Sequence, residues 1–118
     1  MEKITTYKVA DKKENGIKNP PYRLVPIQNI LYDQGMVKKV KEVCNDTAKL
    51  LNIKIVKKNP LLLFKWDKVI ATIQEDIPLD PIQVKQFKTT SNYEVIQGRH
   101  RAVGSLYKGY THVPVIIL

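Results

Sequence analysis

The stretch Tyr93-Glu94-Val95-Ile96-Gln97-Gly98-Arg99-His100-Arg101-Ala102 decides how this chain is read. Tyr93, Val95 and Gln97 alternate as one face of a strand. Gly98 breaks the pattern, and helical spacing follows over Arg99 to Lys108, with Ala102, Val103, Leu106 and Tyr107 turned inward. Gly109 suits the left-handed position just past a helix end. A helix start leaves backbone N–H groups outside the helix's own hydrogen bonding and carries partial positive charge. Glycine at such a turn lets an anion approach the backbone closely. Arg99 and Arg101 add planar forks that match phosphate. His100 can donate to a phosphate oxygen or move a proton. The expectation is a turn that holds a phosphate-bearing ligand; the plainer alternative is three basic side chains pointing into water.

Outward from this turn, Ile82 to Phe87 alternates as a strand, and Lys88 to Asn92 is a polar hairpin loop leading into Tyr93. Val113 to Leu118 reads as a buried closing strand. Upstream, Lys65 to Asp76 has helical spacing, with Trp66, Val69, Ile70 and Ile73 on one face; Pro78 and Pro81 end it. Met36 to Asn52 reads as another helix with lysines opposite its apolar side, and Ile53 to Lys57 as a strand. Ile4 to Ala10 reads as a short strand, residues 11–21 as a loop, and Tyr22 to Ile30 as an extended segment with Pro26 at an edge or break. The sum is a single α+β (mixed α/β) domain over 1–118: a small mixed sheet packed with about three helices.

The 118 residues suffice for one core without a staple. One cysteine, Cys44, excludes an internal disulfide, and with two histidines a structural metal is not expected. Cys44 lies on the apolar side of its helix and reads as core. No apolar run reaches membrane-spanning length, and Met1 to Thr6 lacks a signal-peptide core, so a soluble intracellular protein is expected. Twenty Lys and Arg against 11 Asp and Glu give a net charge of +9, which favours anionic partners. Seven lysines crowd residues 36–58 against Glu42 and Asp46. Lys38, Lys39, Lys41, Lys54, Lys57 and Lys58 are the candidate nucleic-acid contacts; a solvated helix face is the alternative. Usage rich in Lys, Ile and Asn points toward an AT-rich genome such as a large DNA virus or mobile element.

The run Gly98-Arg99-His100-Arg101-Ala102, then Gly109, then Val113-Pro114-Val115, resembles the ParB/sulfiredoxin superfamily. Asp80-Pro81-Ile82-Gln83-Val84 is similar to the Gln-Pro-Ile-x-Val strand ahead of the motif in ParB proteins. Leu24-Val25-Pro26-Ile27-Gln28-Asn29-Ile30 resembles the opening Val-Pro strand of sulfiredoxins, and Thr72-Ile73-Gln74-Glu75-Asp76 their Thr-Ile-Arg-Glu-Asp helix end. The likeness runs from Tyr22 to Leu118, with 31–64 reading as an insertion. It implies that Lys65, Lys68 and Thr72 face the nucleotide phosphates and ribose, Lys68 standing where sulfiredoxins have serine. One departure matters: Arg99 occupies the place of the sulfiredoxin cysteine, and Gln97 that of a glycine. Sulfinic-acid reduction by that mechanism is therefore not expected. A ParB sliding clamp is not expected either, since these residues include no helix-turn-helix or dimerisation segment.

Two functions stay open. The first is a nucleotide-phosphate-binding protein taking ATP or CTP with Mg2+, a candidate phosphohydrolase or phosphotransferase. Its ligand contacts would be Lys65, Lys68, Thr72, Gln97, Gly98, Arg99, His100 and Arg101. His100 and Asp80 are its candidate catalytic groups; Asp67, Glu75, Asp76 and Glu94 are less well placed by the pattern. The second is a DNA- or RNA-binding protein, or a ParB-like nuclease, that uses the same phosphate site beside the lysine-rich surface.

Overall fold

The computed structural model describes residues 3–13, 15–43, 53–55 and 77–118. Their strands are β1 (Arg23–Pro26), β2 (Ile30–Tyr32), β3 (Lys54–Ile55), β4 (Ile82–Gln86), β5 (Tyr93–Gln97) and β6 (His112–Ile117). The helices are α1 (Gln34–Val43) and α2 (Arg99–Lys108), with a 3-10 turn at Ile27–Asn29. The six strands form one mixed sheet in the order β1-β6-β4-β5-β2-β3. β4 pairs antiparallel with β5 and parallel with β6, while β1 closes antiparallel on β6. At the other end β2 runs parallel to both β5 and β3.

Three strands separate β1 from β2, yet only the turn at Ile27–Asn29 joins them. Four strand spacings in a flat sheet span about 19 Å. Four residues reach at most about 14 Å, and less when wound in a 3-10 turn. The sheet must therefore curl so that its first and fifth strands approach each other. This is why Tyr22 to Ile30 is not one extended segment: its halves belong to strands far apart in the sheet.

Apolar side chains from both helices fill the curl. Met36 and Val40 of α1, and Ala102 and Val103 of α2, are almost wholly buried against Val25, Ile30, Tyr32, Ile82, Val84, Val113 and Val115. The Tyr32 hydroxyl donates to the Ala102 carbonyl at 3.3 Å, tying β2 to α2. Buried Ser105 donates to the Arg101 carbonyl at 2.7 Å, so its hydroxyl is satisfied within the helix. Gly109 adopts φ 85°, and its N–H and that of Tyr110 reach the Leu106 and Ser105 carbonyls, closing α2.

The expected bounds of β5, α2 and the 88–92 loop agree with the structure. Residues 31–43, read from sequence as the start of an insertion, supply β2, α1 and part of the core. Ile4 to Ala10 forms no strand but a single bridge, Val9 with Leu79; its other backbone bonds come from Thr111 and His112, both to the one Thr5 carbonyl, so no ladder develops. Met36 to Asn52 is helical from Gln34 to Val43, and Cys44 and the rest of that segment lie outside the described residues. So do the expected helix Lys65 to Asp76 and Trp66; two α-helices stand among the described residues where about three were expected. No helix among these residues is long and apolar enough to cross a membrane.

Candidate functional site

β2 and β5 are parallel neighbours, with Ile30 beside Tyr93 and Leu31 beside Glu94. Each leads directly into a helix at its carboxyl end. The starts of α1 and α2 therefore meet at one end of the sheet. Crevices outside the carboxyl ends of parallel strands are a recurrent ligand site, because helix N-termini converge there.

The two starts are built differently. Asp33 closes α1: its Oδ1 accepts from the Met36 N–H at 2.9 Å, and its carbonyl accepts from the Val37 N–H at 3.0 Å. α2 starts at Gly98, with φ 108° and ψ 30°, and no side chain caps it; its first turn has no acidic residue. A non-glycine residue would be strained at this φ. A Cβ there would also lie 3.1 Å from Arg101 Nη2 and 3.2 Å from its Cζ and Nε. Glycine at 98 is thus favoured by the backbone angle, and any larger residue would also need the Arg101 side chain to give by a few tenths of an ångström.

Both arginines of the motif already bond to protein. Arg99 Nη1 lies 3.2 Å from Asp33 Oδ2, and both side chains are about nine-tenths buried. This pair links the two helix starts, so the Arg99 fork does not simply face an open phosphate site. Arg101 Nη1 donates to the carbonyls of Asp80 at 2.7 Å and Pro81 at 3.0 Å. It braces the start of α2 against the segment that enters β4.

Asp80 is at the centre of that brace. Its carbonyl also accepts from the Tyr7 hydroxyl at 2.7 Å, and its Oδ1 accepts from Asn19 Nδ2 at 2.9 Å. The candidate catalytic carboxylate is thereby tied to the N-terminal loop. Burial pushes the Tyr7 phenol well above its ordinary value, against the pull of nearby Arg101. Tyr7 accordingly stays protonated as a donor.

His100 is partly buried in the first turn of α2, and Gln97 is exposed at the end of β5. Gln97, Gly98, Arg99, His100 and Arg101 all lie at the junction of β5 and α2. Lys65, Lys68 and Thr72 lie outside the described residues. Of the lysine-rich stretch, Lys38 and Lys41 are exposed on α1, and Lys39 pairs with Glu42 at 2.9 Å. Lys54 donates to Asn92 at 2.8 Å across the sheet edge; Lys57 and Lys58 lie outside the described residues. Among the described residues no three His, Cys, Asp or Glu side chains converge on a metal position. Sequence reasoning missed Asp33 altogether. Its signal was present, an aspartate just ahead of an apolar helical run, but Gly35 in the first turn obscures the boundary.

No protein-family model matches the chain, and no curated protein matches it. Solved structures do match. A conserved hypothetical protein from Pyrococcus furiosus aligns at 16% identity and TM-score 0.53, over 86% of this chain and 33% of its own. C-terminally truncated chromosome-partitioning protein ParB from Caulobacter crescentus, complexed with CTP-γ-S, aligns at 19% and 0.50, over 84% and 44%. A mutant of a free serine kinase, in complex with AMP, aligns at 14% and 0.53, over 97% and 36%. The chain thus spans less than half the length of each. Curled mixed sheet, paired helix starts and these structural matches together show that the chain shares the fold of the matched ParB region.

Proposed function

We propose that this domain binds a nucleotide through its phosphates at the start of α2. The observation that carries the reading is the Gly98 turn: a left-handed glycine opening a ten-residue helix at the carboxyl end of β5, with no side-chain cap. Backbone N–H groups and the helix dipole favour an anion there. Two proteins of similar fold, at low sequence identity, were solved with CTP-γ-S and AMP, which supports a nucleotide rather than a bare anion. ATP and CTP are the ligands to test first. Gln97, Arg99 and His100 are the side chains nearest the turn in sequence with hydrogen-bonding groups suited to phosphate oxygens. Lys65, Lys68 and Thr72 remain candidate contacts from the preceding segment. Mg2+ would ride on the phosphates and their waters, as it usually does, rather than in a protein cage. In a phosphohydrolase or phosphotransferase, His100 would be the group that moves a proton.

Calorimetric titration with ATP, CTP, GTP and inorganic pyrophosphate, each with and without Mg2+, tests this. A nucleotide at one hundred times its Kd should stabilise the fold by about 2.7 kcal/mol, read as a rise in Tm. Absence of heat and of any Tm change at millimolar ligand overturns the reading. Arg101→Ala should weaken binding and also destabilise the protein by about 2 kcal/mol, because the Asp80 and Pro81 carbonyls lose their donor.

A further inference from the structure

Asp33 sits where the two helix starts meet, and each of its oxygens has a separate task. Oδ1 caps α1 through the Met36 N–H at 2.9 Å. Oδ2 faces Arg99 Nη1 at 3.2 Å, with only 8% of the Asp33 side chain and 11% of the Arg99 side chain exposed. Arg99 is the first residue of α2, directly after the open Gly98 turn. A protein carboxylate therefore already occupies the electropositive corner that an incoming phosphate would enter. It engages the same guanidinium that such a phosphate would use.

We propose that Asp33 sets the affinity of this site by competing with the ligand's phosphate for Arg99; the inference rests on the phosphate site proposed above. Binding moves Arg99 Nη1 from Asp33 Oδ2 toward a phosphate oxygen. The α1 cap does not depend on that exchange, because it uses the other oxygen. Two anions cannot share one partly buried guanidinium without mutual repulsion. Asp33 thus lowers the affinity of any anion that reaches Arg99. A polyphosphate binds despite this cost because its further contacts along the helix start offset it. Coulomb repulsion in this setting is large enough to alter affinity by an order of magnitude or more.

The test compares the natural chain with Asp33→Asn, using pyrophosphate and inorganic phosphate in calorimetric titrations. Asparagine keeps a capping oxygen for Met36 but removes the charge facing Arg99. Asp33→Asn should bind pyrophosphate about tenfold more tightly, and inorganic phosphate should gain by no more than that factor. Asp33→Ser, a second uncharged cap, should behave alike and covers the case in which the asparagine variant fails to fold. If pyrophosphate binds the natural chain and the folded variant equally, or the variant more weakly, Asp33 is a holder of Arg99 and not its competitor. That outcome overturns this inference and leaves the phosphate site standing. If pyrophosphate binds none of the three proteins, both readings fall.

Discussion

α1 and α2 start side by side from neighbouring parallel strands, yet one start is finished and the other is left open. Asp33 supplies α1 with a side-chain cap and a counter-charge. Gly98 supplies α2 with neither. In both cases the preceding carbonyl makes the first helical bond: Val37 N–H to Asp33 and Ala102 N–H to Gly98, each at 3.0 Å. The first backbone bond is therefore the same in both helices. What differs is the chemistry exposed at the tip. A capped tip serves the fold, and an open tip beside a basic cluster is suited to a ligand.

The sharpest way to break this comparison is Asp33→Ala. It removes the cap and leaves Arg99 buried without its carboxylate, so it should lower stability by about 3 kcal/mol in denaturant unfolding. A loss no larger than that of an exposed substitution would mean that α1 does not rely on its cap. Gly98→Ala probes the other tip. Strain at φ 108° and the crowding of Arg101 should destabilise by about 1–2 kcal/mol and weaken nucleotide binding together. An alanine variant that is as stable and binds as well would show that the open tip needs no glycine.

Tyr7→Phe tests the brace behind α2 and should cost about 1 kcal/mol at neutral pH. Its pH dependence has a definite sign. The folded-state pKa of Tyr7 is raised above the unfolded value of about 10. Its contribution is complete below pH 10 and is lost as pH climbs above it. The natural chain should therefore lose stability more steeply than Tyr7→Phe in alkaline unfolding curves. Parallel curves would show that the phenol is not held in its protonated form.

The region 80–118 was legible in the sequence because its signals are local. Alternation marks β4 and β5, helical spacing marks α2, and Gly98 and Gly109 bound it within one or two residues. The same locality hid the rest of the site. Asp33 and Arg99 are 66 positions apart, and no periodicity links them. Asp80 looked available for chemistry because its ties to Tyr7 and Asn19 come from a loop that pairs with no regular strand. Arg101 read as a phosphate fork because nothing in the motif reveals two backbone carbonyls 20 and 21 residues upstream. In both arginines part of the hydrogen bonding is spent within the protein.

β6 lies between β1 and β4, pairing Val115 with both Arg23 and Ile82. During synthesis, β1 therefore emerges almost ninety residues before the strand it pairs with. Until residues 112–117 clear the ribosome, β1 and β4 each present an unpaired edge, and the curl cannot close. Such long-range pairing folds slowly and leaves strand edges open to wrong partners. A nascent chain stalled before β6 should accordingly be the most aggregation-prone form of this protein.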